Sequence, residues 1–354
     1  MALKWFDGFE SYTDYLDVNA LIYPVAGNAA GGDGCLFSSD YGRNGNGMKM
    51  ADWNHVTTFT LLSAPSSNTH IMGVALYLPY TGTPTSQWNT PSIALYDGSG
   101  TKHVSFHLDE NRDIDVYDGA NSVIATTSGV SILSQAWYYI EIKAIIDDSV
   151  GQIVIKVNGT NILTTTADKD TLNGSNAYVQ KVYFSGAYGI ANAYWDDFYW
   201  LDGSGDAPHN DFLGDIRVDV LRPNGAGSHT EFTPSAGSNY QNVDETPGPD
   251  DDTTYNDGDT TNDEDSYALG NLPAPSGTTI YGVKSQITAR KTDAGDRKCK
   301  VITRSGGSDY LGAEISLLDS FQTMAEIDED NPDDSSAWED ADVNGMEVGI
   351  KVTA

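Results

Sequence analysis

The sequence predicts an all-β chain of two successive sandwich domains, and three observations carry that prediction. Along residues 137–157 apolar and polar side chains alternate with the period of two that marks a half-buried strand. No stretch before residue 210 shows the 3.6-residue periodicity of an amphipathic helix. A Gly-, Pro- and Asp-rich segment, Asp202-Gly-Ser-Gly-Asp-Ala-Pro-His209, then separates two strand-rich halves.

The strand prediction is clearest where it starts. Ile140, Ile142, Ala144 and Ile146 share one parity, and Tyr139, Glu141 and Lys143 share the other, so the strand has an oily and a wet face. Its hairpin partner follows Gly151, where Ile153, Ile155 and Val157 alternate with Gln152, Lys156 and Asn158. Asn158-Gly159 is a second turn. Further strands are expected at 71–78, 92–96, 103–108 and 114–117, with Asp97-Gly98 and Asp118-Gly119 as reversals between them. Oily inner faces on antiparallel strands call for a second sheet to cover them.

Trp137-Tyr-Tyr-Ile-Glu-Ile-Lys143, Gly151-Gln-Ile-Val-Ile-Lys-Val-Asn-Gly159 and the closing Trp195-Asp-Asp-Phe-Tyr199 together resemble the concanavalin A-like jelly roll in its laminin-G-like form. The resemblance covers roughly residues 1–203. It implies that the first and last strands pair, with Trp5-Phe-Asp-Gly-Phe9 beside residues 195–200. The domain organisation expected is a jelly roll over 1–203, a linker over 204–210, and a second, smaller β-sandwich over 211–354 that carries an acidic loop at 244–265.

The formal charge of -32 sets limits on partners. A nucleic-acid-binding surface needs clustered Lys and Arg, and an anionic membrane surface is disfavoured for the same reason, so neither nucleic acid nor membrane is expected. Cys35 and Cys299 are the only cysteines and read as buried, reduced thiols. The N-terminus shows no signal-peptide pattern, which places synthesis and assembly in a cytoplasm. Residues 244–265 hold ten Asp or Glu and no Lys or Arg, whereas seven basic residues crowd into 284–304. Such an acid run reads as a solvated loop in a monomer. Across a subunit boundary, Asp250, Asp251 and Asp252 would instead meet Lys298, Lys300 and Arg304 and fix the register of a homo-oligomer such as a trimer.

A second resemblance spans nearly the whole chain. Asp202-Gly-Ser-Gly, Asn210-Asp-Phe-Leu-Gly-Asp-Ile-Arg-Val218, Pro223-Asn-Gly, Val243-Asp-Glu245, Pro249-Asp-Asp-Asp-Thr-Thr-Tyr255 and Val343-Asn-Gly-Met-Glu-Val-Gly349 look like a tailed-bacteriophage virion protein family. That resemblance implies a structural protein on the virion surface, in contact with other capsid or tail proteins, as a capsid decoration or a tail or fibre component.

Catalytic patterns fail on spacing. Glu326-Ile-Asp-Glu-Asp echoes a retaining glycosidase strand, but the second Glu is absent at the required spacing, whereas that chemistry needs two carboxyls about 5 Å apart. His103 and His107 on a strand would lie roughly 13 Å apart at ~3.3 Å per residue, too far to share an ion, and both read as part of a wet face. The acids of 257–265 would suit weak Ca2+ binding but lack the Gly and Glu of a dedicated calcium loop. The expectation is therefore a protein that is not an enzyme and needs no cofactor. The alternative to a purely structural role is a host-glycan-binding adhesin, with Tyr77, Tyr80 and Trp88 as an aromatic platform in the jelly roll.

Overall fold

The computed structural model describes residues 1–29, 34–51, 55–79, 91–129, 132–186 and 192–354. Two compact units divide the chain: residues 1–19 with 25–218, and residues 20–24 with 219–354. Both are β structures. Among the described residues no helix is long and apolar enough to cross a membrane.

The first unit is a jelly-roll sandwich of two antiparallel sheets. In one, the strands run in the order Thr160–Thr164, Gln152–Val157, Trp137–Ile145, Thr69–Tyr77, Ala193–Leu201, Gly47–Met50 and Cys35–Ser38, and Leu3–Asp7 also pairs with Ala193–Leu201. The other runs Val123–Thr126, Ile114–Asp118, Lys102–Leu108, Ser92–Tyr96, Lys181–Ser185, Val56–Leu61 and Val25–Ala29. The first and last strands pair as the resemblance implies, with Trp5 opposite Trp200 and Asp7 opposite Phe198. The expected hairpin is present in register, Ile142 facing Ile155, and Asn158 and Gly159, with φ of 48° and 75°, turn the following hairpin from Gln152–Val157 into Thr160–Thr164. Aromatic rings fill the space between the sheets. Phe59 lies 5.8 Å from Phe198, and Phe184 meets Phe198 and Trp195 edge-on at 5.0 and 5.3 Å.

The outer face of the larger sheet departs from the alternation. Tyr139 and Glu141, on the parity expected to be wet, are buried. Their cover comes from residues 211–218. The Gly214 N–H donates to Glu141 Oε1 at 2.8 Å, Lys143 reaches Asp211 at 3.3 Å, and Lys156 lies over the Phe212 ring at 4.2 Å. Leu213 and Val218 are buried with them. The compact units therefore part at Val218, not across 204–210, because residues 211–218 pack on the outer face of the larger sheet. His103 is likewise buried, accepting from the Asn173 N–H, and its imidazole is held below the usual histidine range by burial.

The second unit is the smaller sandwich. Its six-stranded sheet orders Pro223–Thr230, Glu264–Leu269, Glu347–Val352, Lys298–Ser305 and Ser308–Leu311, with Ile315–Ser316 also on Lys298–Ser305. A three-stranded sheet joins Leu21–Tyr23, Gln322–Asp328 and Val283–Ala289. Leu21–Tyr23 pairs parallel to Gln322–Asp328, so a short N-terminal segment belongs to this unit. Cys299, Val301 and Met324 form its core with Tyr23, Ile287 and Ile350. The short helix Asp340–Gly345 precedes the last strand and buries Val343 beside Trp338 and Met346.

Gly73 is required by close approach. A Cβ there would meet Tyr199 Cε1 at 2.3 Å and Tyr139 Cε1 at 2.8 Å, because both rings stack over it. Gly73→Ala should therefore destabilise the first unit by about 1–3 kcal/mol through overpacking. An unchanged urea midpoint would show that the rings over Gly73 are not held in place.

Candidate functional site

Four aromatic side chains line up on the outer face of the larger sheet, beyond the part covered by residues 211–218. Trp137 pairs with Tyr77, and Tyr77 with Tyr194. Tyr194 in turn pairs with Lys49. The rings touch in sequence: Trp137 to Tyr77 at 5.4 Å, Tyr77 to Tyr194 at 5.6 Å with planes 15° apart, and Tyr194 to Tyr41 at 4.9 Å. Lys49 Nζ sits 5.4 Å from the Tyr41 ring centroid, which places a cation at the end of the row. All five side chains are half-buried, so each keeps an edge in water. Burial and the neighbouring Tyr41 and Tyr77 push the Tyr194 phenol up, which leaves its hydroxyl neutral at physiological pH.

The row forms because Trp137, Tyr77 and Tyr194 share the outward parity of three adjacent strands, and cross-strand aromatic pairs stabilise a sheet by about 0.2–1 kcal/mol each. Tyr77 is the one expected platform residue in it. Tyr80 and Trp88 lie outside the described residues. Trp137 and Tyr194 were the signal missed: each heads a strand on the same outward parity as Tyr77.

Beneath the row the ladder breaks. Asp197 has φ +50° and the pairing with Thr69–Tyr77 shifts between Asp196 and Tyr199. On the other side of this strand, Gly47–Met50 pairs before the break and Leu3–Asp7 after it. Asp196 and Asp197, both buried, sit at that junction and take backbone and guanidinium donors. The Arg43 N–H donates to Asp196 at 2.6 Å, its Nε to Asp197 at 2.9 Å, and the Val218 N–H to Asp197 at 2.8 Å. Arg43 also binds Asp215 at 2.5 Å and the Ile216 carbonyl at 2.6 Å. Glu10 lies beside this pair, its carboxyl packed against Gly45, whose φ of +99° lets the chain approach. Burial, and then the nearby Asp196, pushes the Glu10 carboxyl up to about 10. Burial and Asp197 likewise raise Asp196.

The other residues singled out by sequence disperse. In the second unit the acid run is ordered: Asp252 meets Arg290 at 2.6 Å, Asp250 accepts from Thr254, and Asp265 is buried against Asn239 and Tyr267. Asp244, Asp251, Asp252, Asp257 and Asp259 are exposed, as a solvated loop would have them, whereas Glu245, Asp250, Asp263, Glu264 and Asp265 are partly or fully buried against the same unit. Within 257–265, Asp263 accepts from the Thr260 N–H, Glu264 meets Lys351 and Asp265 accepts from Asn239. Asp251 adopts φ +56° in the same run. Lys298 meets Glu314 at 3.2 Å and Arg304 meets Asp309 at 2.6 Å, while Lys300 lies across from Lys351. Glu326 is half-buried on Gln322–Asp328, and burial and Asp328 raise its carboxyl. Cys35 and Cys299 are both buried free thiols, pushed up by burial to about 11 and about 12.

No family model matches the chain, and no curated protein matches it. Among solved structures it is similar to a sialidase, with a TM-score of 0.39 and 10% identity over 56% of this chain and 18% of that one. It is also similar to the metal-free form of lectin I-B4 from Griffonia simplicifolia, with a TM-score of 0.35 and 12% identity over 55% of this chain and 98% of the lectin. A third is domain 4 of an extracellular arabinanase from Geobacillus stearothermophilus in complex with arabinotriose, at 0.37 and 13% over 57% and 92%. The chain thus spans 18% of the length of the sialidase.

The Glu10 carboxyl makes stability depend on pH with a definite sign. Its pKa rises from 4.5 to about 10 on folding, so the folded state holds a proton that the unfolded state loses. That stabilisation is complete below pH 4.5 and is lost as pH rises toward 10, by at most about 1.4 kcal/mol per pH unit. Relative to wild type, Glu10→Gln should flatten the fall in melting temperature between pH 5 and 8. Equal slopes in both proteins would place the proton elsewhere, and a slope abolished by added Ca2+ would show that a cation compensates the carboxyls.

Proposed function

We propose that the chain is a carbohydrate-binding protein that binds without cleaving, and that its first unit takes a glycan along the row Trp137, Tyr77, Tyr194 and Tyr41. The observation that carries this reading is the row itself. Four half-buried rings run contiguously across the sheet, on a face that residues 211–218 cover in part. Aromatic edges and faces cover the apolar side of a sugar ring, and tyrosine hydroxyls with the Lys49 ammonium meet its hydroxyl groups. A net charge of -32 disfavours polyanionic glycans, so the ligand class is a neutral oligosaccharide.

On a virion surface, the location that the phage-family resemblance implies, such a site would serve attachment to host glycans. Cryo-electron microscopy of the particle distinguishes capsid decoration from a tail or fibre position.

A glycan array followed by calorimetry tests the binding. Tyr77→Ala or Trp137→Ala should weaken the best ligand by about 2 kcal/mol, roughly 30-fold, as loss of a central aromatic contact does. An array without a neutral ligand, or full affinity in both variants, would overturn the assignment. Incubation of the bound glycan with the protein should release no new reducing ends, and their appearance would make the chain a hydrolase.

A further inference from the structure

In the second unit, the pairing of Pro223–Thr230 with Glu264–Leu269 shifts register between Ala226 and Thr230, where the His229 N–H donates to Ser266 Oγ. The residues of the shift reach the polar side chains of the six-stranded sheet. There the Ser228 N–H and Oγ donate to the two oxygens of Glu347 at 2.7 and 2.8 Å, which fixes the following residue. His229 is thereby set between two carboxylates: Nδ1 lies 3.3 Å from Glu264 Oε2, and Nε2 2.9 Å from Asp309 Oδ2. One nitrogen and one oxygen from each acid fall within 4.8 Å of one another.

The two acids are also oriented from behind. Lys351 holds the other oxygen of Glu264, and Arg304 holds the other oxygen of Asp309 at 2.6 Å, so in each case a different oxygen faces the histidine. His229 and Glu264 come from neighbouring strands of the sheet, and Asp309 from the strand at its opposite edge.

We propose that His229, Glu264 and Asp309 form a binding site for one divalent transition-metal ion of the Zn2+ class. One imidazole and two carboxylates suit Zn2+, Co2+ or Ni2+, whereas Ca2+ takes an all-oxygen shell. Three protein ligands leave a fourth position for water or a ligand oxygen. Lys351 and Arg304 act as outer partners that orient the carboxylates, and their charge keeps the affinity moderate. The site would pin Pro223–Thr230 to the strands that carry Glu264 and Asp309.

The test uses the full chain after chelator treatment and dialysis. Co2+ added to it should give visible absorption bands that saturate at one equivalent, and Zn2+ should compete them away. Calorimetry with Zn2+ should show one site, lost in His229→Ala and weakened in Glu264→Gln by more than the roughly 10–100-fold that outer partners are worth. His107→Ala, on the other unit, should bind as wild type. Circular dichroism of each variant guards against a folding defect, and Glu264→Gln keeps the side-chain shape if His229→Ala does not fold. Absence of a one-equivalent Co2+ spectrum, or Zn2+ affinity unchanged in both site variants, would overturn the proposal and leave His229 as a bridge between two carboxylates.

Discussion

The first unit depends on one irregularity, the break in Ala193–Leu201 at Asp196 and Asp197. A strand that passes through a residue at φ +50° cannot keep one partner along its edge, and here it takes Gly47–Met50 before the break and Leu3–Asp7 after it. Two carboxylates are buried at the gap, so the protein must supply donors there. Arg43 supplies most of them, to both aspartates, and extends to Asp215 and Ile216. Removing one partner of such a pair leaves a buried charge and costs about 3–5 kcal/mol.

That same hub decides which part of the sheet is open. Residues 211–218 are held at one end by Lys143 and Glu141 and at the other by Arg43 and Asp197, and they cover Tyr139, Glu141 and Tyr199. The face beyond them carries Trp137, Tyr77, Tyr194 and Tyr41. A covered part beside an open aromatic part on one continuous sheet would be a rigid support for the proposed glycan site, because the strands that carry the rings are tied to the covered part.

The local part of this arrangement was legible in the sequence. Period-two alternation marked the hairpin of 137–157, the turn at Asn158-Gly159 and the strands at 92–96 and 103–108, since each depends on neighbours a few residues away. What was not legible came from distant segments. Alternation labelled Tyr139 and Glu141 as solvent-facing, and only residues 211–218, more than 70 positions later, make that face an interior. Leu21–Tyr23 is too short to show a period, so its parallel pairing with Gln322–Asp328 had no local signal. Composition described the acids of 244–265 without their partners Arg290, Lys351 and Asn239. For the candidate site, Tyr77 was found from its loop neighbours, whereas Trp137 and Tyr194 become visible only when the parity of three strands is aligned.

Arg43, anchored at the Asp196–Asp197 break, holds residues 211–218 over the sheet. Hydrogen exchange measured by mass spectrometry on wild type and Arg43→Leu tests it most directly. The amides of Gly214 and Val218 should lose protection by orders of magnitude in the variant, while Gln152–Val157 and Ser92–Tyr96, away from the break, exchange as before. Unchanged protection of residues 213–218 in a folded Arg43→Leu protein would contradict it.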